Sequence, residues 1–453
     1  MDYQGLRVLI LGIARSGIAA ARALVRRGAV VSIYDKKSKE NLGDSLYELP
    51  IGIRILAGEE PDLQTEHYDL AVISPGIAID SPMASRIVEQ GIELIGEVEL
   101  AYRLRKPGLK LIAVTGTNGK TTTTALLAEI LKEAGHKSCA VGNIGVPLVS
   151  MVDKYDEGIL AVEMSSFQLE TIKAFHPVAA GIINITPDHL DRHYNMENYA
   201  ATKARVYENM SASEYIILNK NDPWLKGLNP GCRTLYFSTE DILEQGMWVE
   251  NGTIMLGIEG TKITVCPVSS LSLRGKHNLE NILTAVGLAG SVGVPPEAIR
   301  RTLQTFKGVR HRLEEVRELD GVLYINDSKG TNPESTMRAL ESFSEPIVLI
   351  AGGRNKGSDF TQLASMISRK VKALVLVGEA KSIIREKVLG QGFSPIVETE
   401  DFAHAVKAAR ELAESGDVVL LSPACASWDM FNNYEERGDL FCTVVNSFQG
   451  DEG

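Results

Sequence analysis

No apolar stretch in this chain approaches the roughly 18 residues that a membrane-spanning helix needs, so the sequence predicts no insertion into a bilayer. The N-terminus has no basic segment followed by an apolar core and a cleavage site; it enters a strand pattern directly at Arg7-Val-Leu-Ile-Leu. Cysteine is scarce. Five in 453 residues is an odd count, and with no Cys-x-x-Cys pair it argues against a disulfide framework or a zinc ribbon. A reducing cytoplasm is the expected setting. Positive charge is also short, with 47 Lys and Arg against 58 Asp and Glu and a formal net charge of −11. That balance disfavours general affinity for nucleic acid or anionic membrane, and any polyanionic ligand must be met by local basic groups. Low-complexity tracts and internal repeats are missing as well.

What is present is alternation of strand-like and helix-like runs along a chain long enough for about three domains. In the first, Arg7 to Leu11 reads as a buried strand, Gly12-Ile-Ala-Arg-Ser-Gly17 as a turn and Ile18 to Arg27 as a helix. Val30 to Tyr34 is the next strand and Leu70 to Ser74 a third. Asp35 closes its strand where a Rossmann unit keeps a ribose-binding carboxylate. Yet Ala14 replaces the middle glycine that lets backbone approach a pyrophosphate, which speaks against a nicotinamide dehydrogenase and for a Rossmann-like module serving another diphosphate. The expected architecture is α/β with three domains. They are an N-terminal Rossmann-like domain (1–98), a central P-loop ATPase-like α/β domain (99–308) and a C-terminal Rossmann-like doubly wound sheet (309–453). Hairpin signals at Asn251-Gly252 and Glu259-Gly260 predict a small antiparallel patch in the central domain.

The central domain opens on Leu111-Ile-Ala-Val-Thr-Gly116-Thr-Asn-Gly119-Lys120-Thr121, a strand running into a glycine loop and then a helix. That order builds a phosphate cradle: glycines let N–H groups turn onto an anion, the helix start adds its positive end, and Lys120 adds a cation. Thr121 can hold Mg²⁺ through its hydroxyl. Val114 stands where the general P-loop pattern has glycine, so the loop is a shortened variant. Glu163 ends a later strand and is read as a second Mg²⁺ ligand. Asp188-His189-Leu-Asp-Arg-His193 lacks the glutamate and cysteine of a zinc site and suits a harder cation. Cys425 has no general base in its motif and is read as packing.

Six motifs resemble those of the Mur ligases of peptidoglycan synthesis. They are Thr115-Gly-Thr-Asn-Gly-Lys-Thr, Glu163-x-Ser-Ser-Phe-Gln-Leu, Asn184-x-Thr-x-Asp-His-Leu-Asp-Arg-His, His277-Asn278-x-x-Asn281, His311-Arg312 and Asn326-Asp-Ser-Lys-Gly-Thr-Asn. Together with Ser-Pro-Ala-Cys-Ala-Ser-x-Asp at 422–429, the resemblance implies an ATP-dependent ligase joining D-glutamate to UDP-N-acetylmuramoyl-L-alanine through an acyl phosphate. The alternatives are a sister ligase taking another amino acid and a nucleotide-hydrolysing regulator.

The resemblance further implies two Mg²⁺ ions, one on Thr121 and Glu163, the other on His189 and a carbamylated Lys203. It gives Gly116, Thr117, Asn118, Gly119, Lys120, Thr121, Thr122, Asn281, Arg312, Asp327 and Lys329 to ATP. Lys120, Glu163, His189, Lys203 and Lys329 are the implied catalytic set. Ala14, Arg15, Asp35, Lys36, Ser74, Asn143, Ser165, Gln168 and His189 fall to the UDP substrate, and Thr331, Lys356, Ser427 and Tyr434 to D-glutamate. Arg354 stands where relatives often have an acid. A monomer is expected, with small-molecule substrates as its partners.

Overall fold

The computed structural model describes residues 2–273, 275–355 and 357–450, less the side chains of Lys276 and His277. Contacts divide the chain into two compact units, Met1–Leu271 with His277–Phe306, and Ser272–Lys276 with Lys307–Gly453.

The first unit holds two sheets. Strands β1 (Arg7–Leu11), β2 (Val30–Asp35), β3 (Arg54–Ala57), β4 (Leu70–Ile73) and β5 (Glu93–Gly96) form a parallel sheet in the order β3-β2-β1-β4-β5. Strand order reverses at β1 and β4, which makes the crevice beyond their carboxyl ends a topological switch point. Val8 and Ile10 of β1 face one apolar cluster while Leu9 and Leu11 face another. Burial on both faces explains why these strands read as unbroken apolar runs.

The second sheet comprises β6 (Gly108–Thr115), β7 (Ala140–Gly142), β8 (Glu157–Glu163), β9 (Ala179–Ile182), β10 (Tyr215–Asn219), β11 (Arg233–Ser238), β12 (Gly246–Glu250), β13 (Thr253–Ile258) and β14 (Thr261–Pro267). Its order is β14-β13-β12-β11-β10-β9-β6-β8-β7, parallel up to β12 and antiparallel beyond. The antiparallel patch turns at Asn251-Gly252 and Glu259-Gly260, where all four residues have positive φ. Such turns match the twist of the flanking strands.

The expected 98/99 division falls inside the helix Glu97–Leu104, which ties the two sheets together. Its Val98, Leu100 and Ala101 belong to one apolar cluster running from Val8 and Ile18 to Leu111, Val162 and Phe175. Its buried Glu99 carboxylate accepts N–H groups of Lys173, Ala174 and Phe175 at 2.9–3.1 Å and the Arg103 Nε at 2.8 Å. Glu97 accepts the Val149 N–H at 2.6 Å.

The second unit is built on β15 (Glu314–Leu319), β16 (Val322–Asn326), β17 (Ile347–Gly352), β18 (Val371–Val377), β19 (Ile396–Glu398) and β20 (Val418–Leu421), in the order β15-β16-β20-β17-β18-β19. All neighbours are parallel except β15 and β16. Leu349 and Ala351 face one core and Val348 and Ile350 the other. β15, β3, β5, β11 and β19 escape the sequence reading: Glu-Glu-Val-Arg-Glu-Leu on an edge strand has too few apolar residues to announce itself. Among the described residues no helix is long and apolar enough to cross a membrane.

Candidate active site

The glycine loop follows β6. Gly116 (φ 146°) and Gly119 (φ 80°) both take conformations that L side chains avoid. Gly119 leads straight into the helix Lys120–Glu133. A Cβ on Gly119 would lie 1.9 Å from Asn281 Oδ1. The cradle's glycine is therefore required by the approach of a second helix, Lys276–Ser291, as well as by its backbone angle. The loop is latched from its other side: the Thr117 N–H donates to Asn184 O and the Asn118 N–H to Asn184 Oδ1, both at 2.9 Å. The Thr186 N–H donates to Thr117 Oγ1 at 3.0 Å.

Two ammonium groups converge on one carbonyl. Lys120 Nζ donates to Gly116 O at 2.9 Å and to Thr117 O at 2.7 Å, and Lys203 Nζ donates to the same Gly116 O at 2.7 Å. Lys203 is 1% exposed, with its Nζ 4.6 Å from the Tyr199 ring centroid. Burial, reinforced by the nearby Lys120 charge and opposed by Asp188, holds its amine well below the ordinary lysine range. Beside the loop, Glu163 is 2% exposed. Its Oε1 accepts from Asn143 Nδ2 at 2.8 Å, while its Oε2 has no partner among the described residues. A buried carboxylate oxygen without a donor fits a cation ligand. His189, at a left-handed φ of 52°, is exposed near Asp188 (3.5 Å) and packs on the Phe167 ring. Ser165 and Gln168 form the capping box of a short helix and hydrogen-bond each other.

At the switch point of the first sheet, a Cβ on Gly12 (φ 98°) would meet Ser74 Oγ at 2.9 Å. Asp35 accepts the Ile13 and Lys37 N–H groups, both at 2.9 Å, bracing the turn that carries Ala14 and Arg15. Arg15 and Lys36 are exposed there.

In the second unit, Asp327 follows β16, and burial pushes its carboxyl up to about 6 against the pull of Ser422 and Arg312. Ser422 Oγ donates to Asp327 Oδ2 at 2.7 Å. Arg437, 1% exposed, joins the two loops of this site. Its guanidinium donates to Ser328 Oγ (3.0 Å), Ser328 O (2.8 Å) and Cys425 O (3.2 Å). Lys329 Nζ lies 5.7 Å from the Tyr434 ring centroid, and Thr331 follows on the same loop. Ser427 is buried. Cys425 is buried and its thiol is pushed up to about 12, which leaves it inert as a nucleophile. Arg354 pairs with Glu379 through two hydrogen bonds (2.8 and 3.1 Å) and exchanges backbone bonds with Ala426. Lys356 lies outside the described residues.

Three family models match in chain order: Mur ligase MurD-like, N-terminal domain (6–96), Mur ligase middle domain (114–289) and Mur ligase, glutamate ligase domain (311–425). A UDP-N-acetylmuramoylalanine–D-glutamate ligase of Pelotomaculum thermopropionicum is 46% identical, with 99% of each chain covered. The chain belongs to the Mur ligase family. A relative of the same printed name from Clostridioides difficile is 42% identical, covering 99% of this chain and all of that one. Among solved structures, the UDP-N-acetylmuramate-alanine ligase of Thermotoga maritima covers 98% of this chain and 99% of its own at 19% identity, TM-score 0.61. A MurF ligase of that organism, in complex with ADP, covers 98% and 96% at 17% identity, TM-score 0.59. These two share the fold.

In this Mur ligase the structure gathers Gly116 to Thr122, Asn143, Glu163, Lys203 and Asn281 around one loop, and Arg312, Asp327 and Lys329 around another. Sequence reading gave no role to Asn184, Thr186, Tyr199, Arg192 or Arg437. The first four sit in or beside motifs already singled out; Arg437 lies on the helix Tyr434–Asn446 with no local signal at all.

Proposed function

We propose that this Mur ligase uses ATP to join D-glutamate to UDP-N-acetylmuramoyl-L-alanine in the cytoplasm, acting as a monomer with three functional domains (1–98, 99–308 and 309–453). The observation that carries the reading is the pair Lys120 and Lys203 on one carbonyl, beside the unpartnered Glu163 oxygen. Full-length relatives that bear this enzyme's name support the choice of substrates.

The alanyl carboxylate attacks the γ-phosphorus, ADP leaves, and the D-glutamate amine then displaces phosphate from the acyl carbon while losing a proton. Two anions meet in the first step, so positive charge must screen them. Lys120 supplies one such charge from the loop. Two Mg²⁺ ions, held by Thr121 with Glu163 and by His189 with Lys203, would supply the rest. Lys203 would serve as its carbamate, since an ammonium has no lone pair and Mg²⁺ takes oxygen ligands, which the carbamate offers and a bare amine does not. Its burial beside another cation favours the neutral amine from which a carbamate forms. Thr117, Asn118, Thr122, Asn281, Arg312, Asp327 and Lys329 are assigned to ATP. Ala14, Arg15, Asp35, Lys36, Ser74, Asn143, Ser165 and Gln168 are assigned to the UDP substrate, and Thr331, Lys356, Ser427 and Tyr434 to D-glutamate.

Phosphate release with ATP and UDP-N-acetylmuramoyl-L-alanine, measured against a panel of amino acids, tests the reading. Release dependent on D-glutamate is expected. Preference for another amino acid would make the chain a sister ligase, and release without any amino acid a nucleotide-hydrolysing regulator.

A further inference from the structure

Arg192 stands in the Asp188–His193 run but belongs to no ligand set above. Its guanidinium donates from Nη1 to Pro75 O at 3.0 Å and from Nη2 to Ile77 O at 3.2 Å. The same group donates from Nε to Glu170 Oε1 at 3.1 Å, pairs through Nη2 with Glu170 Oε2, and lies 4.1 Å from the centroid of the Phe167 ring. His189 packs on that ring too, at 4.8 Å. One side chain thus grips the loop after β4, which carries Ser74, and braces the aromatic surface under His189. Two residues on, Tyr194 Oη donates to Asp80 Oδ2 at 2.6 Å, a second tie between the same segments. Beneath the gripped loop lies a small cavity walled by Ser74, Ile77, Glu97, Gln168 and Arg192. It has room for about one water.

We propose that Arg192 is a positioning residue that fixes the Ser74–Ile77 loop for the UDP substrate and registers it against His189; this rests on the substrate reading given above. A planar fork suits the task. Arginine can reach two carbonyls and a carboxylate at fixed angles while stacking on a ring, whereas a lysine ammonium is a single point with three rotatable donors. The carbonyl oxygens belong to main chain, so the contact sets loop position whatever side chains the loop carries.

The test uses the full-length enzyme, wild type, Arg192→Ala, Arg192→Lys and Tyr194→Phe. It compares calorimetric affinities for UDP-N-acetylmuramoyl-L-alanine and for ADP, together with the KM and kcat of phosphate release. For Arg192→Ala we expect about tenfold weaker binding of the UDP substrate and a matching rise in its KM, with ADP affinity unchanged, since charge-assisted hydrogen bonds to the loop are lost. Arg192→Lys should recover only part of the loss. Tyr194→Phe, which removes one exposed tie, should weaken the UDP substrate less than Arg192→Ala does. Equal weakening of both ligands would mean a general structural role and overturn the proposal, as would unchanged affinity for the UDP substrate. If Arg192→Ala fails to fold, Arg192→Lys decides on the same two affinities. The outcomes separate the two readings. A wild type that binds the UDP substrate yet ignores D-glutamate refutes the ligase reading alone, and a normal ligase whose Arg192 variants bind like wild type refutes the positioning role alone.

Discussion

Glu97 allows one buried charge to be weighed in isolation. Its carboxyl is 3% exposed, accepts a single backbone N–H from Val149, and leaves Oε2 without a partner among the described residues. Burial raises it from 4.5 to about 7, opposed only by that hydrogen bond. Between those two values the folded protein keeps a proton that the unfolded chain has released. Stability from this group is therefore greatest at the acid end of the window, falls as pH climbs through it, and levels off above about 7. Each pKa unit is worth about 1.4 kcal/mol, so the loss between pH 5 and pH 8 comes to about 2–3 kcal/mol. Glu97→Gln keeps the acceptor for Val149, nearly preserves volume and cannot ionise. The variant should match wild type near pH 5 to within about 1 kcal/mol and exceed it by about 2–3 kcal/mol more at pH 8. The assay is urea unfolding by tryptophan fluorescence in a Trp428→Phe background, since the remaining tryptophans, Trp224 and Trp248, both lie in the first unit. That choice isolates one transition in a chain of two units, where a single unfolding free energy has no meaning. A stability gap between variant and wild type that stays constant from pH 5 to pH 8 would refute the reasoning.

Lys120→Ala should cut D-glutamate-dependent phosphate release by about a hundredfold or more with little change in thermal melting; near-normal turnover would remove the phosphate-cradle role. Lys203→Ala should lose activity and regain part of it with added acetate, and ¹³C-bicarbonate should give a carbamate resonance in wild type that this variant lacks. No resonance, with an active Lys203→Arg, would mean that no carbamate is involved. Gly119→Ala should destabilise the first unit through its contact with Asn281 Oδ1, and the double variant with Asn281→Ala should be more stable than the sum of the single effects, as expected for touching groups. Strict additivity in urea melts would show that the strain lies in the backbone angle alone.

The glycine loop was legible because strand, loop and helix follow in immediate succession, and that order is written in adjacent residues. Glu163 was legible because it ends an apolar strand, and the Asp188–His193 run because it follows another, Ala179–Ile182. Nothing local announces that Lys203 and Lys120 share the Gly116 carbonyl, or that Asn281 closes on Gly119. Those facts depend on how distant segments pack, and a period of 2.0 or 3.6 carries no information about them. Arg437 is a sharper case: on an amphipathic helix an arginine reads as a solvated face, yet here it is buried by the two loops whose carbonyls and hydroxyl it satisfies. Four of the missed strands, β3, β5, β15 and β19, are short or polar edge segments, while β11 is an interior strand whose Arg-Thr-Leu-Tyr-Phe-Ser mixes polar and apolar residues. The hairpins at 251 and 259 are legible because positive φ selects Asn251, Gly252 and Gly260 in the sequence itself, although Glu259 carries its positive φ without that signal.

The helix Glu97–Leu104 limits how this protein can be taken apart. A cut at 98/99, where a domain count would place it, separates Glu97 and Glu99 onto different pieces. Glu99 stays with the Lys173, Ala174 and Phe175 amides it receives, but Glu97 is parted from the Val149 amide. That one buried donor left without its acceptor costs about 1–3 kcal/mol, a sizeable share of the about 5–15 kcal/mol that holds a domain folded, and the helix that carries Glu99 loses its first two residues. An N-terminal fragment ending there would also expose Val98, Leu100 and Ala101's former seat in the shared core. Segmental isotope labelling, split-protein complementation or crystallisation of isolated pieces should therefore avoid 98/99 and treat the first two sheets as a single indivisible fragment; a cut at 306/307 follows the boundary of the second unit except for its Ser272–Lys276 segment.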